Sequence, residues 1–294
     1  MKLYKVSIII TFISLMMIIA SCSKNNTSFD YTQAIETTSN YVEAQQMTDL
    51  LLNTYFKSIT DSILLTDGIS NIDGANISYT STPAKLTIEY PWCTNDGYGH
   101  TRVGIYEATS ESGFFDSLDI INFEFKNFYY DFDSISVSGF SIVNKGRINN
   151  NYLFDIEVNN IYRETIDTAT NKTFEMTYKV DQSFTRFKDN SSPYYTQEDY
   201  FAISGIITGK DQNGFSYSAV IVDTSLLVNS LSCKWLKQGN VNIELPDFIY
   251  NTTTNFSYDT DCKDIYSIIM NETLFTQAFD GGQTDCPSIY TGHN

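Results

Sequence analysis

The sequence predicts a mostly β fold: an antiparallel meander, either a single curved sheet or a sandwich, with one amphipathic helix on its N-terminal side. Three observations carry this. Aromatic residues make up 15% of the 294, with 21 Tyr and 20 Phe, and they sit beside Ile and Thr in short alternating runs, the composition of a pleated, half-buried surface. The links between those runs are short, which joins antiparallel neighbours, because a parallel crossover needs about a dozen residues or more. One stretch alone has a three- and four-residue apolar rhythm, and it precedes all the strands.

Taken in order, the chain opens on Lys2 and Lys5, then an apolar run from Ser7 to Ala20 broken only by Ser and Thr, then Ile19-Ala20-Ser21-Cys22. A basic start, an apolar run too short to span a bilayer and small residues before a cut make residues 1–21 a secretory leader. The cysteine after the cut resembles the bacterial lipobox, which implies that Cys22 becomes the lipidated first residue. Residues 22–39 are polar, without apolar periodicity, and read as a tether reaching about 20–25 Å as a flexible coil. From Asn40 to Leu65 the residues Tyr41, Ala44, Thr48, Leu51, Leu52, Tyr55, Ile59 and Ile63 recur at helical steps, with no Gly or Pro between them. Asn40 and Glu43 suit a cap and Asp67-Gly68 an end. This helix, 40–65, opens a single β-rich domain, 40–278.

After Gly74 come strands punctuated by turns. Asp211-Gln212-Asn213-Gly214 is the best hairpin signal, and Asn144-Lys145-Gly146 and Met270-Asn271-Glu272 are weaker ones. Gly104 and Gly139, and again Gly205 and Gly239, are spaced as a duplicated unit would space them, or as bulge glycines would be. Residues 279–294 carry no strand pattern and read as a loose tail.

The charge bounds the partners. The formal value is -17, and loss of the two leader lysines takes it to -19. Such a chain repels nucleic acid and anionic headgroups, so any membrane attachment falls to the N-terminal lipid. With Cys22 acylated, four cysteines remain in an oxidising compartment. They allow three connectivities, and because Cys233 and Cys262 flank a hairpin turning near Asp247 to Asn251, a bridge across it with Cys93 to Cys286 as the remainder is the first choice over free or differently paired thiols. No Cys-x-x-Cys pair occurs and the only histidines are His100 and His293, so no metal site or cofactor is expected.

Catalytic patterns are missing. Neither Gly-x-Ser-x-Gly nor His-Glu-x-x-His is present. His100, in the turn after Asp96-Gly97-Tyr98-Gly99, reads as a solvent-exposed loop histidine with no positioned nucleophile. Asp131 with Asp133, and Asp259, Asp261 and Asp264, lack calcium-loop spacing and suit caps and turns. Tyr194 and Tyr195, after Pro193, are the aromatics placed to stack on a sugar ring.

Ile88-Glu89-Tyr90, Cys93, Asp96-Gly97 and Arg102-Val103-Gly104-Ile105, then Cys233-Lys234-Trp235, Gly239, Tyr258-Asp259 and Cys262, resemble a family of uncharacterised cell-envelope lipoproteins of the Bacteroidota. The resemblance spans about Lys85 to Met270. It implies an exported β-rich domain and no catalytic residue. Pro91 and the stretch after Asp259 depart from the pattern where it has Gly. Asp61-Ser62-Ile63, Asp116-Ser117-Leu118, Asp133-Ser134-Ile135 and Asp167-Thr168-Ala169 resemble the O-glycosylation acceptors of the same phylum, which implies Ser62, Ser117, Ser134 and Thr168 as sites.

The sequence thus reads as a non-enzymatic envelope lipoprotein, structural or ligand-binding, anchored in the outer membrane. Ser23-Lys24-Asn25-Asn26 holds no acid, which favours a periplasm-facing anchor over the cell surface. Two further readings are a carrier of hydrophobic ligand, with an apolar cavity between helix and sheet, and a surface protein binding or acting on glycans.

Overall fold

The computed structural model describes residues 31–97, 99–114, 118–148, 151–167, 170, 172–187, 199–230, 233, 235–256 and 264–279. Contacts divide the chain into Met1–Ala34 and Ile35–Asn294, and every strand belongs to the second unit. Helix α1 (Tyr31–Ile59) is followed by the short α2 (Ser62–Asp67) and then by strands only. These are β1 (Ile69–Ile72), β2 (Ala75–Ser81), β3 (Ala84–Asn95), β4 (Thr101–Ser110), β5 (Ile120–Tyr130), β6 (Asp133–Ile148), β7 (Asn151–Asp167) and β8 (Lys172–Phe187). Then come β9 (Tyr200–Lys210), β10 (Ser216–Ile221), β11 (Leu227–Ser230), β12 (Gly239–Glu244), β13 (Thr252–Phe256), β14 (Ile265–Met270) and β15 (Thr273–Ala278). They form one antiparallel sheet in chain order, except that β11 shares an edge of β9 with β10. Between the two architectures left open by sequence, the curved sheet is the one adopted.

The helix corrects two expectations. It already runs at Tyr31, so residues 31–39 are not tether, and Asn40 is an interior residue whose Nδ2 donates to the Glu36 carbonyl at 2.9 Å, not a cap. It ends at Ile59, and Asp61 caps α2 by accepting the Ile63 N–H at 2.8 Å. Gly68, left-handed at φ 78°, closes α2 with its N–H on the Leu64 carbonyl, as Asp67-Gly68 suggested.

The polar side of α1 does not face water. Thr37, Thr38, Gln45, Thr48, Asp49, Asn53, Thr54 and Ser58 are buried together with Tyr41, Met47, Leu51, Tyr55 and Phe56. Several polar positions meet polar partners on strands. Thr38 Oγ1 lies 3.0 Å from Thr252 Oγ1, Gln182 Nε2 donates to Gln45 Oε1 at 2.6 Å, Asn229 pairs with Asn53, and Tyr266 Oη donates to Ser39 Oγ at 2.9 Å. Apolar positions meet rings: Phe56 lies 4.7 Å from Phe154 and 4.8 Å from Phe201, and Tyr55 lies 5.1 Å from Phe123. The sheet therefore curls round residues 35–59 of α1.

Curling needs breaks in the pleat, and the glycines supply them. Gly104 stands at φ 104° where the β4–β5 register shifts, and a Cβ there would sit 2.0 Å from the Asn127 carbonyl oxygen. Gly205, at φ 116°, would place one 2.3 Å from that of Asp181. A bulge or a close backbone approach of this kind bends a strand and adds twist. Asn144-Lys145-Gly146, expected as a hairpin turn, is likewise a bulge inside β6, where Asn144 Oδ1 accepts the Gly146 N–H at 2.9 Å. The Asp211–Gly214 turn links β9 and β10 as expected. The β5–β6, β3–β4 and β9–β10 turns share one rim, here the lower rim, where Thr37 and Gln46 of α1 meet Asp211 and His100.

Candidate functional site

Two buried polar clusters and one cleft stand at the lower rim. In the first cluster, Arg102 of β4 is fully buried, its Nη2 2.7 Å from Asp96 Oδ2. Its Nη1 donates to Tyr90 Oη at 2.7 Å, and the guanidinium carbon lies 5.2 Å from the Tyr90 ring. Tyr90 Oη in turn donates to Thr54 Oγ1 of α1 at 3.2 Å. Burial raises the Tyr90 phenol, and Arg102 pulls it back in part. The motif residues Tyr90, Asp96 and Arg102 thus belong to a device that locks β3 and β4 to the helix.

The second cluster corrects His100, which is 1% exposed. The loop folds inward because the Asp96 N–H donates to the His100 carbonyl and the His100 N–H to Asp96 Oδ1. The ring stacks 4.8 Å from Tyr130; Nδ1 lies 2.6 Å from Asp131 Oδ2 and Nε2 lies 3.0 Å from Gln46 Nε2. An amide nitrogen only donates, so ring Nε2 accepts and Nδ1–H donates to Asp131. Asp131 Oδ1 also accepts the Thr101 N–H at 2.9 Å. Both ring nitrogens are engaged, so the dyad braces the β5–β6 turn and presents no base to a substrate.

Beside Asp131 opens a cleft of about 230 Å³ between α1, the β5–β6 turn, β7, β8 and the β9–β10 turn. At its centre Arg163 of β7 bridges two elements, with Nε 2.6 Å from Asp133 Oδ2 and Nη1 3.0 Å from Glu43 Oε2 of α1. Burial lowers the guanidinium and the two carboxylates more than offset it, so Arg163 stays charged. Burial raises the Asp133 carboxyl against the pull of Arg163. Asn40, Thr165, Phe174, Met176 and Gln212 complete the walls. Of these residues the sequence reading weighs only Asp131 and Asp133 as a possible site, and it takes Asn40 and Glu43 for a helix cap and Gln212 for part of a turn. They come from elements as far apart in the chain as α1 and the β9–β10 turn, and no local pattern marks them as one site.

The remaining sequence candidates are scattered. Cys22, Ser117, Thr168, Tyr194, Tyr195, Asp259, Asp261, Cys262 and Cys286 lie outside the described residues. Ser62 is exposed in α2 and Ser134 is exposed on β6. Cys93, at φ 55° in the β3 irregularity, and the buried Cys233 are both disulfide-bonded. Gly239 faces Phe256 across β12 and β13. Among the described residues no group of three or more His, Cys, Asp or Glu side chains is placed to hold a metal ion. Comparisons with protein families, with curated proteins and with solved structures find nothing that matches this chain.

Proposed function

We propose that this is a lipid-anchored module of the cell envelope that works by holding a small ligand without turning it over, and that the lower-rim cleft is where it does so. The observation that carries the reading is the placement of α1. A carrier of hydrophobic ligand keeps its load between helix and sheet, and here that space holds Leu51, Tyr55 and Phe56, each at most 2% exposed. The cleft, by contrast, is polar and gathers side chains from α1, the β5–β6 turn and the strands and turn that follow into one place, which suits a small polar ligand. His100 sits next to it with both nitrogens committed, which argues for recognition over acid–base chemistry.

Native mass spectrometry of the full, detergent-solubilised chain incubated with a small-molecule extract of its own envelope tests this. The expected result is an adduct of unaltered ligand mass that Glu43→Gln weakens. Conversion of the extract component to a new product, or no adduct at all, would sink the reading.

A further inference from the structure

We propose that the lower-rim cleft takes a primary alkylammonium group carried on a small molecule, an inference that rests on the binding reading above and names its ligand class. Three carboxylates, Glu43, Asp131 and Asp133, share the cleft with one guanidinium, in a chain of formal charge -17. Arg163 is no anion receptor: its Nε and Nη1 are held by Asp133 and Glu43, and a phosphate or carboxylate brought to it would meet both of them.

The two amides of the wall decide the polarity further. Asn40 is 7% exposed and gives its Nδ2 to the Glu36 carbonyl at 2.9 Å. Gln212 gives its Nε2 to Glu36 Oε1 at 2.6 Å. Each amide thus spends one N–H on Glu36, and each carries a carbonyl oxygen that can only accept. The cleft therefore presents acceptors and negative charge, and an ammonium, with three donors and no acceptor, is the complementary group. Phe174 and Met176 supply an apolar wall for the alkyl stem, and the Phe ring face attracts a cation. A hard divalent ion asks for six or more oxygen ligands, roughly, in a cage, and Arg163 occupies that ground.

Isothermal titration of the full, detergent-solubilised chain with butylammonium, xylitol and calcium, each separately, decides it. Butylammonium is expected to bind saturably, and Glu43→Gln to weaken it at least tenfold. Gln212→Leu, in an exposed turn and outside every ion pair, is the second variant should Glu43→Gln disturb the fold, and it is expected to weaken binding several-fold. Stronger binding of xylitol or calcium overturns the proposal, and so does amine binding that both variants leave unchanged. If butylammonium fails while the envelope adduct persists and responds to Glu43→Gln, the ammonium inference falls and the binding reading stands. If both fail, both fall.

Discussion

Asp49 is the side chain in α1 whose environment is furthest from its needs. It is 4% exposed, Gln45 Nε2 donates to its Oδ1 at 2.8 Å, and Oδ2 has no hydrogen-bond partner. Burial pushes its carboxyl up to about 8, and the Gln45 contact offsets only part of that. A folded value above the unfolded one means that the fold favours the protonated form. The contribution is complete below the ordinary value of 3.8 and is lost as pH rises toward about 8, at up to about 1.4 kcal/mol per pH unit from this group. Asp49→Asn, which keeps the shape and carries no charge, is expected to raise the melting temperature at pH 8 and to flatten its decline from pH 5 upward. Thermal unfolding across that range checks it, and an unchanged slope would refute it. Arg102 makes the opposite case, a charge that the fold keeps. Arg102→Met leaves Asp96 buried without its cation and is expected to cost about 3–5 kcal/mol. Adding Asp96→Asn should restore a large part, which denaturant titration of the single and double variants reads directly.

At the scale of elements, strands were legible and the helix was only half so. Alternation along β5, β6 and β7 and the Asp211-Gln212-Asn213-Gly214 turn are local features, and local features survive into the structure. The helix start was not legible, because Thr37 and Thr38 read as tether until Asp211 and Thr252 are there to receive them. The short β1 and β11 escaped for a similar reason: each has four residues and takes its identity from the neighbour it pairs with. Of the two sequence readings of the spaced glycines, duplicated units or bulges, Gly104 and Gly205 fit the second, since their role depends on which carbonyl stands opposite. This gives a contrast that can be measured. Gly104→Ala forces a side chain onto φ 104° and a Cβ to 2.0 Å from Asn127 O, whereas Gly214, at φ 82°, has nothing within 4 Å of its Cβ position. Strained backbone alone costs about 1–3 kcal/mol, so Gly104→Ala is expected to cost clearly more than Gly214→Ala. Equal losses in chemical denaturation would mean that the close approach does not control the bend.

At the scale of the whole molecule, the site was the least legible part, because a cleft assembled from Asn40, Glu43, Asp133, Arg163 and Gln212 exists only once the sheet has brought distant strands to one rim. The proposed lipid anchor is the reverse case, since it was read entirely from consecutive residues. If Cys22 is the acylated residue, a Cys22→Ala chain leaves the membrane fraction, while the parent stays there in high salt, since a chain of charge -19 after loss of the leader gains nothing from anionic headgroups. On the same proposal, the acid-free Ser23-Lys24-Asn25-Asn26 favours a domain that faces the periplasm. Protease added to intact cells is expected to spare the chain, and the same protease after lysis to cleave it. Loss of the chain from intact cells would put the domain on the surface and make the ligand of the lower-rim cleft an extracellular one. Survival until lysis would confine that ligand to the small cationic solutes of the periplasm, where the chain's negative charge raises their local concentration at low ionic strength.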